Sequence, residues 1–173
     1  MKPTRWARFA VTFTLGATVA FGGTAAGAAT KAGPCQLLTT SELGVALGST
    51  FTARPPYHAG TGITCGYDGV GPVRGATVRV ARGKQAKVAM TKTLHALRDI
   101  LKSVDSHPPA KVAGLGTKAY YSLDAFLGEG GIVVLDGKVF VQVTAIVAPN
   151  NDTALVSEPV LKGLAKKALA RAR

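Results

Sequence analysis

One long segment of helical period lies between two blocks of strand-like sequence, and no other feature constrains the fold as much. From residue 84 to about 104, Met90, Leu94, Leu97, Leu101 and Val104 recur at spacings of four, three, four and three, the signature of an α-helix with one apolar stripe. His107-Pro108-Pro109 closes the segment, because proline cannot continue a helix and the residue before it avoids helical backbone. A single-stripe helix needs a flat apolar surface to lie on, and the flanking segments supply one.

Before the helix, residues 51–54, 63–67 and 76–81 are expected strands. In the last, Ala76, Val78 and Val80 alternate with Thr77, Arg79 and Ala81, the period of a pleated strand. Gly69-Val70-Gly71-Pro72 is expected to link the second and third, and residues 55–62, opening on Pro55-Pro56, to form a loop. After the helix, residues 118–123, 132–135 and 138–147 are expected strands, with Asp136-Gly137 as a two-residue hairpin turn. The last strand puts Val139, Val141, Val143 and Ala145 on one face and Phe140, Gln142, Thr144 and Ile146 on the other. With two largely apolar faces it belongs in the middle of a covered sheet.

Two shorter helices flank this core. Thr39 can cap a helix whose Glu42 completes a capping box, Leu38 and Leu43 can form the hydrophobic staple, and the helix presents Leu43, Ala46 and Leu47 before stopping at Gly48. A C-terminal helix from about Ser157 turns Leu161, Leu164, Ala165, Ala168 and Leu169 inward and Lys162, Lys166, Lys167 and Arg171 outward. The expected fold is α+β, an antiparallel sheet covered by helices. A helix followed by three strands recurs in both halves without a residue-level repeat.

Residues 1–28 read as a secretory signal: Lys2, Arg5 and Arg8, an apolar run over 9–22, then Ala26-Gly27-Ala28. The run, roughly 14 residues, is shorter than the roughly 20 a spanning helix needs. The expected domain organisation is a signal over 1–28, cleaved near Ala28, and a single secreted α+β domain over 29–173. Cleavage removes three basic residues and no acid from a chain of 21 Lys+Arg and 9 Asp+Glu, so the net charge falls from +12 to +9. It also removes Trp6, the only tryptophan. The two cysteines, Cys35 and Cys65, are expected to form a structural disulfide in an oxidising, extracytoplasmic compartment of the cell envelope.

Chemistry-bearing motifs are scarce. His58, His95 and His107 are too few and too scattered for a metal site and are expected at the surface. No Gly-x-Ser-x-Gly elbow occurs, Gly114-Leu115-Gly116-Thr117 and Gly128-Glu129-Gly130-Gly131 match no phosphate loop and are expected as turns, and nine dispersed acids nominate no catalytic pair. No catalytic residue, metal or cofactor is expected. On the long helix, Lys84, Lys87, Lys92, His95, Arg98 and Lys102 fall opposite the apolar stripe, a cationic face suited to an anionic envelope polymer, a lipid surface or an acidic protein. Nucleic acid fits less well, because no stacking aromatics accompany the basic residues. Tyr120 and Tyr121 should place one ring on each sheet face, and with Phe126 they nominate a ligand groove between sheet and helix.

Pro34-Cys35-Gln36-Leu37-Leu38-Thr39 running into Glu42-Leu43 and Ala46-Leu47-Gly48, then Cys65-Gly66-Tyr67 and Gly114-Leu115-Gly116-Thr117-Lys118-Ala119-Tyr120, resembles small exported proteins and lipoproteins of actinobacteria and other high-GC bacteria, in domain families of unknown function. The resemblance covers most of residues 34–172. It implies an envelope-facing α+β domain bridged at the positions of Cys35 and Cys65, and it carries over no catalytic residue. Many such relatives are lipid-anchored, but here Lys31-Ala32-Gly33-Pro34 separates the apolar run from the first cysteine. Similar domains also resemble the extracellular sensor domains of bacterial receptor kinases, with no kinase or transmembrane segment expected here.

Export, one disulfide and the basic helix face point first to a secreted, non-enzymatic binding or interaction module that meets an anionic partner. A small-ligand carrier using Tyr120, Tyr121 and Phe126 comes second. A hydrolase comes third, and its distinguishing mark would be a buried polar cluster in a cleft.

Overall fold

A computed structural model describes residues 31–103, 108–124, 128–149 and 151–173. The expected signal over 1–28 lies outside the described residues, as do Phe126, Val104 and His107. Among the described residues, eight strands form one antiparallel sheet and four helices cover it. The strands are β1 (Thr50–Ala53), β2 (Tyr57–His58), β3 (Ile63–Val70), β4 (Val73–Arg82), β5 (Ala110–Lys111), β6 (Lys118–Asp124), β7 (Glu129–Asp136) and β8 (Val139–Val147). Their order is β1-β3-β4-β8-β7-β6-β5, with β2 also paired to β3. The fold class is the expected α+β.

The alternation along β8 decides how the layers form. Val141, Val143 and Ala145, all fully buried, face the helices α1 (Pro34–Leu37), α2 (Thr40–Leu47) and α4 (Glu158–Ala172) in the larger core. Phe140, also fully buried, faces the opposite side, where α3 (Lys84–Ser103) packs through Ala86, Ala89 and Met90 against Val133 and Leu135. The two alanines let α3 lie close to the sheet, and the unbranched Met90 fills the remaining space. Central β8, hydrogen-bonded to β4 on one side and β7 on the other, is covered on both faces where Phe140 lies. At Ile146, 42% exposed, the α3-side face is open.

Local chemistry sets the helix ends. Thr39 Oγ1 accepts from the Glu42 backbone N–H at 3.1 Å while Glu42 Oε2 accepts from the Thr39 backbone N–H at 3.0 Å, the reciprocal capping box. Leu38 and Leu43 are both fully buried. Gly48 ends α2 in the left-handed region at φ 66°, where a Cβ would be strained. Cys35 in α1 is bonded to Cys65 in β3, closing a loop of sequence separation 30.

Three expectations about turns are corrected. Gly69 and Val70 belong to β3, so Gly71-Pro72 alone links β3 to β4; a Cβ on Gly69 would stand 2.2 Å from the Val73 carbonyl oxygen, and the glycine serves close packing rather than chain reversal. Glu129-Gly130-Gly131 likewise open β7 instead of forming a turn, because a Cβ on Gly130 would lie 2.4 Å from the Val156 carbonyl oxygen of the 3-10 turn Thr153–Val156. The hairpin turn is Gly137-Lys138: Asp136 pairs with Val139, and Gly137 takes φ 57° at the first loop position. Residues 55–62 also contain β2, a two-residue strand on the edge of β3.

The order β1-β3-β4 is mirrored by β6-β7-β8 about the antiparallel β4/β8 pair. A twofold axis normal to the sheet would place α2 and α3 on the same face, whereas they lie on opposite faces. The halves therefore repeat a strand order and not a complete unit.

Candidate functional site

Helix α3 carries the basic face where the sequence places it. Lys84, Lys87, Lys92, Arg98 and Lys102 are all exposed, on the side away from Ala86, Ala89, Met90 and Leu101, each at most 3% exposed. His95 also points outward and contacts Asp99, with Nδ1 3.5 Å from Oδ2. Among the described residues no ion pair engages the five cations; Glu42 pairs with Arg171 and Lys167, Asp68 with Arg54, Asp136 with Arg173, and Asp99 with His95. Lys84 to Lys102 spans about 27 Å of helix at 1.5 Å per residue.

Tyr120 and Tyr121 point to opposite faces of β6, as expected of neighbouring strand residues. Tyr120 packs on the α3-side core and Tyr121 on the larger one. The Tyr121 hydroxyl donates to the Val156 carbonyl at 3.1 Å, and burial pushes its pKa up. The structure does not bring these two rings into one groove, and Phe126 lies outside the described residues.

Instead, a largely enclosed cavity of about 120 Å³ opens between the last turns of α3 and strands β6, β7 and β8. Leu97, Ile100 and Leu101 form its helix side. From the sheet, Ser122, Asp124, Glu129 and Gln142 supply polar groups, with Val133 and Thr144 beside them. Asp124 and Glu129 are register partners across the β6–β7 pair. Asp124 is 7% exposed, and burial, followed by the charge of Asp124, holds the Glu129 carboxyl above the usual glutamate range. Gly131 forms part of the floor; a Cβ there would sit 3.4 Å from both Ser122 Oγ and Thr144 Cγ2.

Nine dispersed acids nominate no pair in the sequence, and Glu129 sits in a glycine-rich run that resembles a turn. The usable signal was alternation. Tyr120, Ser122 and Asp124 share the face of β6 that looks toward α3, and a hairpin out of Asp124 returns an acid beside it.

Cys35 and Cys65 are bridged, and no free cysteine remains among the described residues. His58 and His95 are exposed. Among the described residues no three His, Cys, Asp or Glu side chains converge as metal ligands, and no helix is long and apolar enough to cross a membrane. No protein-family model, curated protein or solved structure matches the chain.

Proposed function

We propose that this is an exported, non-enzymatic binding module that attaches to a linear phosphate-bearing polymer of the cell envelope through the outer face of α3. The observation that carries it is the line of Lys84, Lys87, Lys92, Arg98 and Lys102, exposed and outside every described ion pair. Cations strung along about 27 Å of helix match a chain of repeated anions better than a single anionic group. A lipid surface fits less well, because an interfacial helix buries its apolar face in the membrane and the apolar face of α3 is already packed against Phe140 and Val133. The disulfide supports an extracytoplasmic setting.

The test is retention on an immobilised polyphosphate chain across a salt series, beside vesicles containing phosphatidylglycerol. The expected result is binding to the polymer that weakens steeply with salt, and its loss in the variant Lys84→Glu, Lys87→Glu, Arg98→Glu, Lys102→Glu with an unchanged melting curve. Undiminished retention of that folded variant overturns the proposal. So does binding to the vesicles alone.

A further inference from the structure

Beneath the cationic helix lies a cavity of the opposite character. We propose that this cavity is a binding site for a small primary ammonium compound, a protonated amine carrying a short hydrocarbon body. It rests on different residues from the polymer-binding face and stands or falls independently of it.

Charge sets the class of ligand. The chain has more than twice as many Lys and Arg residues as Asp and Glu, yet no Lys, Arg or His is among the described residues lining the cavity, and Asp124 and Glu129 both are. The half-buried Glu129 carboxylate, set among Leu97 and Val133 on this lining, favours a cation over any neutral or anionic guest.

Hydrogen bonding narrows the class to one that donates. Ser122 is 9% exposed and lines the cavity, and its hydroxyl makes no hydrogen bond within the described residues. The Gln142 amide is likewise without a hydrogen-bond partner among the described residues. The Ser122 hydroxyl is therefore available to a guest in the cavity. With Glu129 and the Gln142 carbonyl it offers acceptors to the three N–H groups of an ammonium head. The glycine at 131 leaves the floor open beside the Ser122 hydroxyl, since a Cβ there would stand in van der Waals contact with it at 3.4 Å.

Size and wall chemistry complete the assignment. Cavities of roughly 150 Å³ hold a molecule the size of benzene, so about 120 Å³ suits a body of a few carbons, which Leu97, Ile100 and Val133 would contact. A bare divalent ion is a poor match, since calcium takes six or more oxygen ligands and no three ligating side chains converge among the described residues.

The probe is n-butylammonium chloride, titrated into the chain and followed through the amide resonances of Ser122, Gly131 and Gln142, with sodium butyrate at equal ionic strength as control. Saturable shifts with butylammonium and none with butyrate are expected. Glu129→Gln should weaken binding at least about tenfold, the usual scale for a charge-assisted hydrogen bond. Gly131→Ala, which narrows the floor, should weaken it too, while Lys84→Glu on the far side of α3 should leave it unchanged. The two cavity variants are read only where their melting curves show a folded domain. Absence of saturable shifts, an equal response to butyrate, or undiminished affinity in a folded Glu129→Gln or Gly131→Ala variant overturns the assignment.

Discussion

Glu42 and Arg171, 129 residues apart in the chain, meet in a two-pronged ion pair: Arg171 Nη1 donates to Glu42 Oε2 at 2.7 Å and Nη2 to Oε1 at 2.8 Å. The same guanidinium donates to the Leu37 carbonyl at 2.9 Å. One carboxylate therefore caps α2 and ties it to α4, with Arg171 also reaching the end of α1. A planar guanidinium matches such a carboxylate where lysine does not.

Arg171, followed by the Thr39 backbone N–H, draws the Glu42 carboxyl from 4.5 down to about 2. A depressed carboxylate pKa adds stability that is complete above the unfolded value and lost as pH falls through the folded one. The contribution should be present above pH 4.5 and vanish toward pH 2. Arg171→Ala is expected to lower stability clearly at pH 7 and much less at pH 2, where only the hydrogen bond to the Leu37 carbonyl remains to be lost. Urea midpoints of the two proteins at both pH values check this.

Glu129 should behave in the opposite sense. Its pKa is raised by burial and by Asp124, so the ionised form costs stability above the folded pKa, and the cost disappears as pH falls below the unfolded value of 4.5. Glu129→Gln is expected to raise the melting temperature at pH 7 and to lose that advantage below pH 4. An acid that costs stability is expected where a site is kept for binding. A lower melting temperature for the variant at pH 7 would show that the carboxylate is instead structurally required.

The Cys35–Cys65 bond restrains an unfolded loop of sequence separation 30, worth roughly 3–4 kcal/mol by chain entropy. Chemical unfolding with and without reductant, or of Cys35→Ser/Cys65→Ser, should show a loss of that order. Release of α1 from β3 is the expected first step, since the bond joins those two elements.

Two glycine substitutions should separate packing from backbone strain. Gly130→Ala would place Cβ 2.4 Å from the Val156 oxygen and 2.7 Å from its Cβ, and should cost about 1–3 kcal/mol as the 3-10 turn is pushed off the sheet. Gly137→Ala meets nothing within 4 Å but has φ 57°, and should cost about 1–2 kcal/mol from the backbone alone. Amide exchange at Val156 should accelerate in the first variant and stay unchanged in the second.

The elements were largely legible because their signals are local. Met90 and Leu101 repeat on one side of a helix, and Thr39 with Glu42 marks a helix start. Glycine was the weak point. Gly69, Gly130 and Gly131 look like turn residues, yet all three sit in strands, and at Gly69 and Gly130 another backbone approaches too closely for a Cβ. Whether a glycine bends the chain or admits a neighbour depends on what lies across from it, and the sequence around it does not carry that information. The hairpin moved one residue, from Asp136-Gly137 to Gly137-Lys138, for a related reason: Asp136 completes the ladder opposite Val139, and its carboxylate meets Arg173.

Sequence alone determined the α+β class, the long helix with its cationic outer face, the two-sided character of the final strand and the cysteine pair. Each follows from periodicity or from there being two cysteines to join. Tertiary structure decided which strands are neighbours, which helix covers which face, and that Ser122, Asp124, Glu129 and Gln142 surround one cavity. Those relationships depend on pairing β6 with β7 and β7 with β8 and on laying α3 across them. Such contacts arise from burying apolar surface on both sides of the sheet at once, and no local pattern in the chain records which polar groups that burial encloses.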